Sequence, residues 1–196
     1  MIVYLGMPKC ASTWLWHKIR KNFQYDGIKE PHTLVEFGEK HNDIIDFSTN
    51  NWSMDSSTAM RIDPSVSKYI LIVRDPMELA TSYYLQTKLE GESFDDFVFT
   101  LIKTKLICFG DLIERWYNLV DREKILIYDY NKDIQNKHET FINDICNKLN
   151  LGTYDNTLPL SDKVFETINK PTLTCNDDLM KVINNQMDKF FQITQG

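Results

Sequence analysis

Three short, largely apolar runs set the frame of this chain, because each is followed by a stretch whose apolar residues recur at helical spacing. Ile2 to Leu5 precedes a helical pattern near Thr13 to Phe23, Tyr69 to Val73 precedes one that starts at Pro76, and Lys124 to Tyr128 precedes one near Ile134 to Leu149. A strand that is apolar without alternation must be covered on both faces, and a parallel neighbour requires a helix to return the chain. Three such β-α units predict an α/β protein with a central parallel sheet flanked by helices. Ligands of such sheets bind beyond the carboxyl ends of the strands, so chemistry is expected in the loops that follow Leu5 and Val73.

Further helices are predicted at Phe94 to Lys103, at Lys105 to Val120 with Leu112, Trp116 and Leu119 on its core face, and at Asp177 to Phe191. Residues 26 to 66 lack a clear period, and residues 152 to 175 read as a loop containing Pro159 and Pro171. The 196 residues suit one domain, 1–196, with a substantial core. The longest purely aliphatic or aromatic run, Tyr69 to Val73, is far short of the roughly 20 residues of a membrane-spanning helix. The start, Met1-Ile2-Val3-Tyr4, has no basic stretch and h-region, and a cytoplasmic location is expected. A net charge of −6 argues against a general nucleic-acid binder. Cys10, Cys108, Cys146 and Cys175 are scattered, without C-x-x-C spacing, which reads as four free thiols and no metal site.

The first loop, Gly6-Met7-Pro8-Lys9-Cys10-Ala11-Ser12-Thr13-Trp14, leads from a strand into a helix. Backbone N–H groups at a helix start, the charge of Lys9 and the hydroxyls of Ser12 and Thr13 make a cradle for an anion. The G-x-x-x-x-G-K-[ST] spacing of an ATP-binding loop is missing. On the following helix Leu15, Ile19 and Phe23 form the apolar stripe, while Trp14 shares a face with Lys18 and Lys21 and is expected to stand clear of the core, where it could stack on a base.

The second loop starts Arg74-Asp75-Pro76-Met77-Glu78, in which Asp75 suits the N-cap, Pro76 the first helical position and Glu78 the third. That leaves Arg74 at the strand's carboxyl end, with Ser82 two turns along the helix. A guanidinium fork and a hydroxyl can hold a phosphate.

Together the two loops resemble those of sulfotransferases that use 3′-phosphoadenosine 5′-phosphosulfate (PAPS). Lys9-Cys10-Ala11-Ser12-Thr13-Trp14 is similar to their K-S-G-T-T-W loop, and Arg74-Asp75-Pro76 with Ala80, Ser82 and Tyr84 is similar to their R-[ND]-P-x-x-x-A-x-S-x-Y element. A looser likeness runs through Glu114-Arg115-Trp116 and Lys124 to Asp129, and fades after about residue 151. The resemblance implies a P-loop-NTPase-like three-layer sandwich and an in-line transfer of the sulfuryl group of PAPS to a hydroxyl, leaving PAP, without a metal. It implies that Lys9, Cys10, Ala11, Ser12 and Thr13 line the 5′-phosphosulfate, that Trp14 stacks on adenine, and that Arg74 and Ser82 hold the 3′-phosphate. Ala11 stands where the family usually has Gly, so a positive φ there would be strained.

The resemblance also places a general base after the second strand, where this chain has Ile28-Lys29-Glu30-Pro31-His32. Glu30 is the base of the glycan-type pattern and His32 of the small-molecule pattern; Glu30 is favoured, with Lys29 as a further positive group. The E-K-[ST]-P-x-Y element of glycan-type enzymes has only a loose counterpart in Asp55-Ser56-Ser57-Thr58-Ala59-Met60, without the lysine, with Ser57 as the residue carried over. Lys170 before Pro171 is a further candidate to approach the cofactor. The resemblance implies a small-molecule or glycan hydroxyl as acceptor, and no nucleic-acid partner is expected. The alternatives are a P-loop-like kinase with Asp129 on Mg²⁺, and a non-catalytic module that binds PAP or PAPS.

Overall fold

The computed structural model describes residues 2–5, 10–23, 45–46, 68–155 and 173–195. They are grouped in two compact units: 1–74 with 123–168, and 75–122 with 169–196.

The first unit is built on a four-stranded, all-parallel sheet with strands β1 (Ile2–Tyr4), β2 (Ile45–Asp46), β3 (Lys68–Val73) and β4 (Ile125–Asp129) in the order β2-β1-β3-β4. Val3 pairs with Tyr69, and Val73 pairs with Asp129. The Leu5 N–H donates to the Ile70 carbonyl at 2.7 Å and carries the β1–β3 ladder one step past β1. Tyr69 to Val73 are all buried, as a strand covered on both faces requires. The chain is thus α/β, a parallel sheet flanked by helices.

Helix α1 (Ser12–Phe23) buries Leu15 and Ile19. Phe141 of helix α5 (His138–Lys148) stacks on Trp14 of α1 at 6.2 Å and meets the Tyr128 ring of β4 edge-on at 4.8 Å, so both helices pack over the same face of the sheet. Between β4 and α5 the chain makes a π-helical turn, Tyr130–Gln135, capped by Asp129, whose Oδ1 accepts from the N–H groups of Asn131 and Lys132 at 2.9 Å each. The helix expected from Ile134 therefore starts only at His138. A second difference is β2, which lies within the stretch that shows no period.

In the second unit, helix α2 (Pro76–Thr87) starts as its sequence dictates: Asp75 accepts from the N–H groups of Met77 and Glu78 at 2.9 Å each, and Pro76 occupies the first turn. Helix α3 (Phe94–Lys103) is capped by Ser93, whose hydroxyl accepts from the Asp96 N–H. Tyr84, part of the second motif, packs on Phe94 and Phe97 and donates to the Glu92 carbonyl, which ties α2 to α3. Helix α4 (Phe109–Leu119) begins four residues later than expected because Lys105 adopts a left-handed φ of 58°, which ends helical geometry between α3 and α4.

The terminal helix α6 (Asp177–Gln195) crosses α4 where Gly110 has no side chain; a Cβ there would stand 2.7 Å from the Gln186 carbonyl oxygen. Phe109 and Phe190 meet edge to face at this crossing. Asp111 gathers its polar contacts: Lys189 Nζ and Gln186 Nε2 donate to Oδ1 at 2.9 and 3.2 Å, and its own N–H donates to Gln186 at 2.9 Å. Lys189 also bridges to Glu114 at 2.8 Å. No helix among the described residues is long and apolar enough to cross a membrane. All four cysteines are free and buried, and burial pushes the Cys146 thiol up to about 11.

Candidate functional site

The strand order places β1 and β3 side by side, while the strand that follows β1 lies on one side of the pair and the strand that follows β3 on the other. The two connections diverge at the carboxyl ends of adjacent strands, which is the topological switch point where parallel sheets bind ligands. Both motifs leave the sheet there.

After β1 the chain returns at Cys10, whose carbonyl accepts a hydrogen bond from the Tyr4 hydroxyl. Tyr4 ends β1 and is fully buried, so strand and returning loop are clamped together across six residues. Burial holds the Tyr4 phenol well above its ordinary range, and the nearby Cys10 and Tyr130 push it the same way. Tyr4 is therefore a hydrogen-bond donor to the loop and not a base.

Ala11 follows in the left-handed region, φ 63°, and its carbonyl accepts from the Leu15 N–H at 2.9 Å, the first bond of α1. The position does need a positive φ, and alanine meets that need with strain. Because alanine has no side-chain oxygen, it cannot cap the first amide donors of α1. Ser12 is buried at 5% exposure, yet its hydroxyl makes no hydrogen bond to another described residue; Thr13 is exposed.

Arg74 is the first residue after β3, as the capping of α2 by Asp75 requires, and it is buried. Its guanidinium carbon lies 4.5 Å from the centroid of the Tyr130 ring, and Tyr130 is the first residue after β4. Cys10, Tyr4, Arg74 and Tyr130 thus gather at one end of the sheet, drawn from the ends of three strands. In the second unit, Ser82 stands on α2, buried at 5%, and its hydroxyl also makes no hydrogen bond to another described residue.

Trp14 differs from expectation. It is 2% exposed, and Lys18, whose ammonium lies 5.9 Å from the indole centroid, is itself buried. Trp14 and Lys18, which read as part of a polar face of α1, are buried, with α5 alongside setting Phe141 on the indole. Trp14 is a core residue with no open face for a nucleobase. Lys9, Lys29, Glu30, His32, Ser57 and Lys170 lie outside the described residues.

Sequence reading misses Tyr4 and Tyr130. Each is a tyrosine at the point where a buried strand ends, where an aromatic body can stay in the core while its hydroxyl or ring face meets a polar group. Asp129, the residue a kinase would need on Mg²⁺, has its Oδ1 committed to capping the π-helical turn.

The chain is similar in structure to a sulfotransferase from Alicyclobacillus acidocaldarius, known from its crystal structure, with 12% sequence identity and a TM-score of 0.64 over 98% of this chain and 94% of that one. The likeness shows a sulfotransferase-like α/β fold. No known family profile matches the chain, and no curated protein matches it in sequence.

Proposed function

We propose that this protein is a PAPS-dependent sulfotransferase that moves a sulfuryl group to the hydroxyl of a small molecule or glycan. The observation that carries this reading is the pair of anion-directed elements at the ends of adjacent strands: the left-handed turn into α1 with Ser12 beside it, and the buried guanidinium of Arg74. They occupy the sheet's switch point in the order in which the two motifs resemble the sulfotransferase loops.

The donor set fits a nucleotide that carries phosphate at both ends of its ribose. Ser12 is a buried hydroxyl at a helix start, suited to an anion, and Arg74 presents a planar fork matched to phosphate oxygens. In this reading Lys9, Ser12, Thr13 and the backbone at Cys10 and Ala11 hold the 5′-phosphosulfate, and Arg74 holds the 3′-phosphate. Adenine stacking on the buried Trp14 has no part in it. Bound PAPS supplies an activated sulfuryl group on a phosphate leaving group.

The protein's part is to align the acceptor oxygen with that group and to stabilise charge on the departing phosphate, which the Lys9 ammonium and the start of α1 do without proton transfer. Glu30, or His32 in its place, takes the acceptor's proton.

Calorimetric titration with PAP, alongside ATP with Mg²⁺, tests the reading. Binding of PAP that Arg74→Ala abolishes, with ATP weaker, is the expected result; absence of PAP binding overturns it. Glu30→Gln and His32→Ala are expected to retain PAP, and the one that loses turnover identifies the base.

A further inference from the structure

Resting on that reading, we propose that Trp14 and Phe141 are positioning residues: the ring pair fixes the first turn of α1, and with it the Ser12 and Thr13 groups that meet the 5′-phosphate end of the nucleotide. Trp14 lies in that turn, two residues after Ser12. Phe141 of α5 stacks on its indole at 6.2 Å with the planes 28° apart, and the two side chains are 2% and 3% exposed. Phe141 is held in turn by β4. The Tyr128 ring meets it edge-on at 4.8 Å, and the Tyr128 hydroxyl donates to Asp144 Oδ2 at 3.0 Å, one turn further along α5. The indole is thereby fastened through α5 to the central sheet.

Ala11 is what makes such a fastening necessary. Its φ of 63° is strained for alanine and persists only where the surroundings over-determine it. The Tyr4 hydroxyl holds the chain before Ala11, at the Cys10 carbonyl, and Phe141 holds it after Ala11, at the Trp14 indole. Between those two points the Ser12 and Thr13 amides have no acceptor within the helix, since the first bond of α1 runs from the Leu15 N–H to the Ala11 carbonyl. A turn already fixed loses less freedom when an anion settles on those amides and on the buried Ser12 hydroxyl, and that saving goes to affinity. An indole used in this way is a post for the loop, and its stacking partner is a phenyl ring of the protein.

The test compares PAP, AMP and adenosine 3′-phosphate, which keeps the base and the 3′-phosphate but has no 5′-phosphate, by calorimetric titration or by competition with PAP. Phe141→Leu and Trp14→Leu are each expected to weaken PAP and AMP about three- to tenfold while leaving adenosine 3′-phosphate unchanged. Combined, the two substitutions are expected to cost no more than either alone, because both remove the same contact. Trp14→Phe keeps a ring against Phe141 and is expected to recover most of the affinity. Because a leucine in these buried places could fail to fold, Phe141→Met and Trp14→Met serve as second variants, and thermal unfolding identifies which are used. Equal losses for all three ligands, or no loss for PAP and AMP in a folded Phe141 variant, overturns the proposal. A loss for adenosine 3′-phosphate confined to the Trp14 variants makes the indole a base platform and overturns it too. A wild type that binds no PAP, or in which adenosine 3′-phosphate does not compete with PAP, overturns the reading beneath as well.

Discussion

Replacing Ala11 with glycine should stabilise the protein, although alanine-to-glycine changes usually do the opposite. Ala11 has φ 63°, a conformation that costs an L-residue about 1–2 kcal/mol and glycine almost nothing. Against that relief stands the greater freedom glycine gives the unfolded chain, about 0.4–1 kcal/mol. The difference is a net gain of about 0–1.6 kcal/mol, centred on ~0.8, which for a chain of this size raises Tm by up to about 6 °C. Valine in place of Ala11 is worse by a further ~1 kcal/mol, because a β-branched residue is a strong outlier in the left-handed region. Asn150 supplies the internal control: it has φ 55°, but asparagine tolerates this region, so Asn150→Gly should change stability little. Thermal unfolding at fixed pH, with urea titration to check that the m-value is constant, ranks the variants. A loss of stability in Ala11→Gly, of the size seen at ordinary positions, would refute the claim that the turn into α1 is left-handed and strained.

At the α4–α6 crossing, Gly110→Ala is expected to destabilise by about 1–3 kcal/mol, because the added methyl meets a backbone carbonyl oxygen at 2.7 Å; denaturant unfolding measures it, and a neutral result would refute that approach. Tyr4→Phe leaves the Cys10 carbonyl without its buried donor and should cost about 1–3 kcal/mol, seen as a lower Tm together with weaker PAP binding. Asp111 gives an acid-side dependence. Burial is the largest single influence and pushes its carboxyl up, but hydrogen bonds from Lys189 and Gln186 and the charges of Lys189 and Lys105 together hold it below its ordinary value. Its contribution is thus present above the ordinary carboxylate range and fades as pH falls through the lowered pKa. The hydrogen bonds with Glu114 and Asp111 raise Lys189, whose contribution is present below the ordinary lysine value and fades as pH rises through the raised one. These groups are partly exposed, so the effect is under about 1 kcal/mol and shrinks in high salt. Lys189→Met should flatten the acid limb of a stability-versus-pH curve, and an unchanged limb counts against the Asp111 linkage.

The parallel sheet was legible because Tyr69 to Val73 is apolar at every position, which only a strand covered on both faces tolerates. The start of α2 was legible to the residue, since Asp75, Pro76 and Glu78 specify a cap by local chemistry alone. What local chemistry does not encode went unseen. β2 is two residues long, too short for any period to show, and gains its identity by pairing with β1. Trp14 was misassigned because periodicity reports the stripes on a helix and not how many neighbours cover them; Phe141, more than a hundred residues away in sequence, packs on the Trp14 indole.

The site shows the same division. Arg74 could be placed at a strand end because its neighbours fix where β3 stops and α2 starts, and both boundaries are local. Tyr130 could not, because its meaning comes from the β3–β4 register, which sets it level with Arg74. The motif residues name the groups that would meet a phosphate, whereas the tyrosines packed against them stand at strand ends that carry no motif. A chain whose cradle loop has alanine in a glycine conformation can keep an anion site only if its surroundings hold the loop in place. Among the described contacts, the Tyr4 hydroxyl on the Cys10 carbonyl ties that loop to the end of β1. Under the proposed function, Tyr4→Phe should therefore weaken PAP binding in calorimetric titration while the motif residues themselves stay intact.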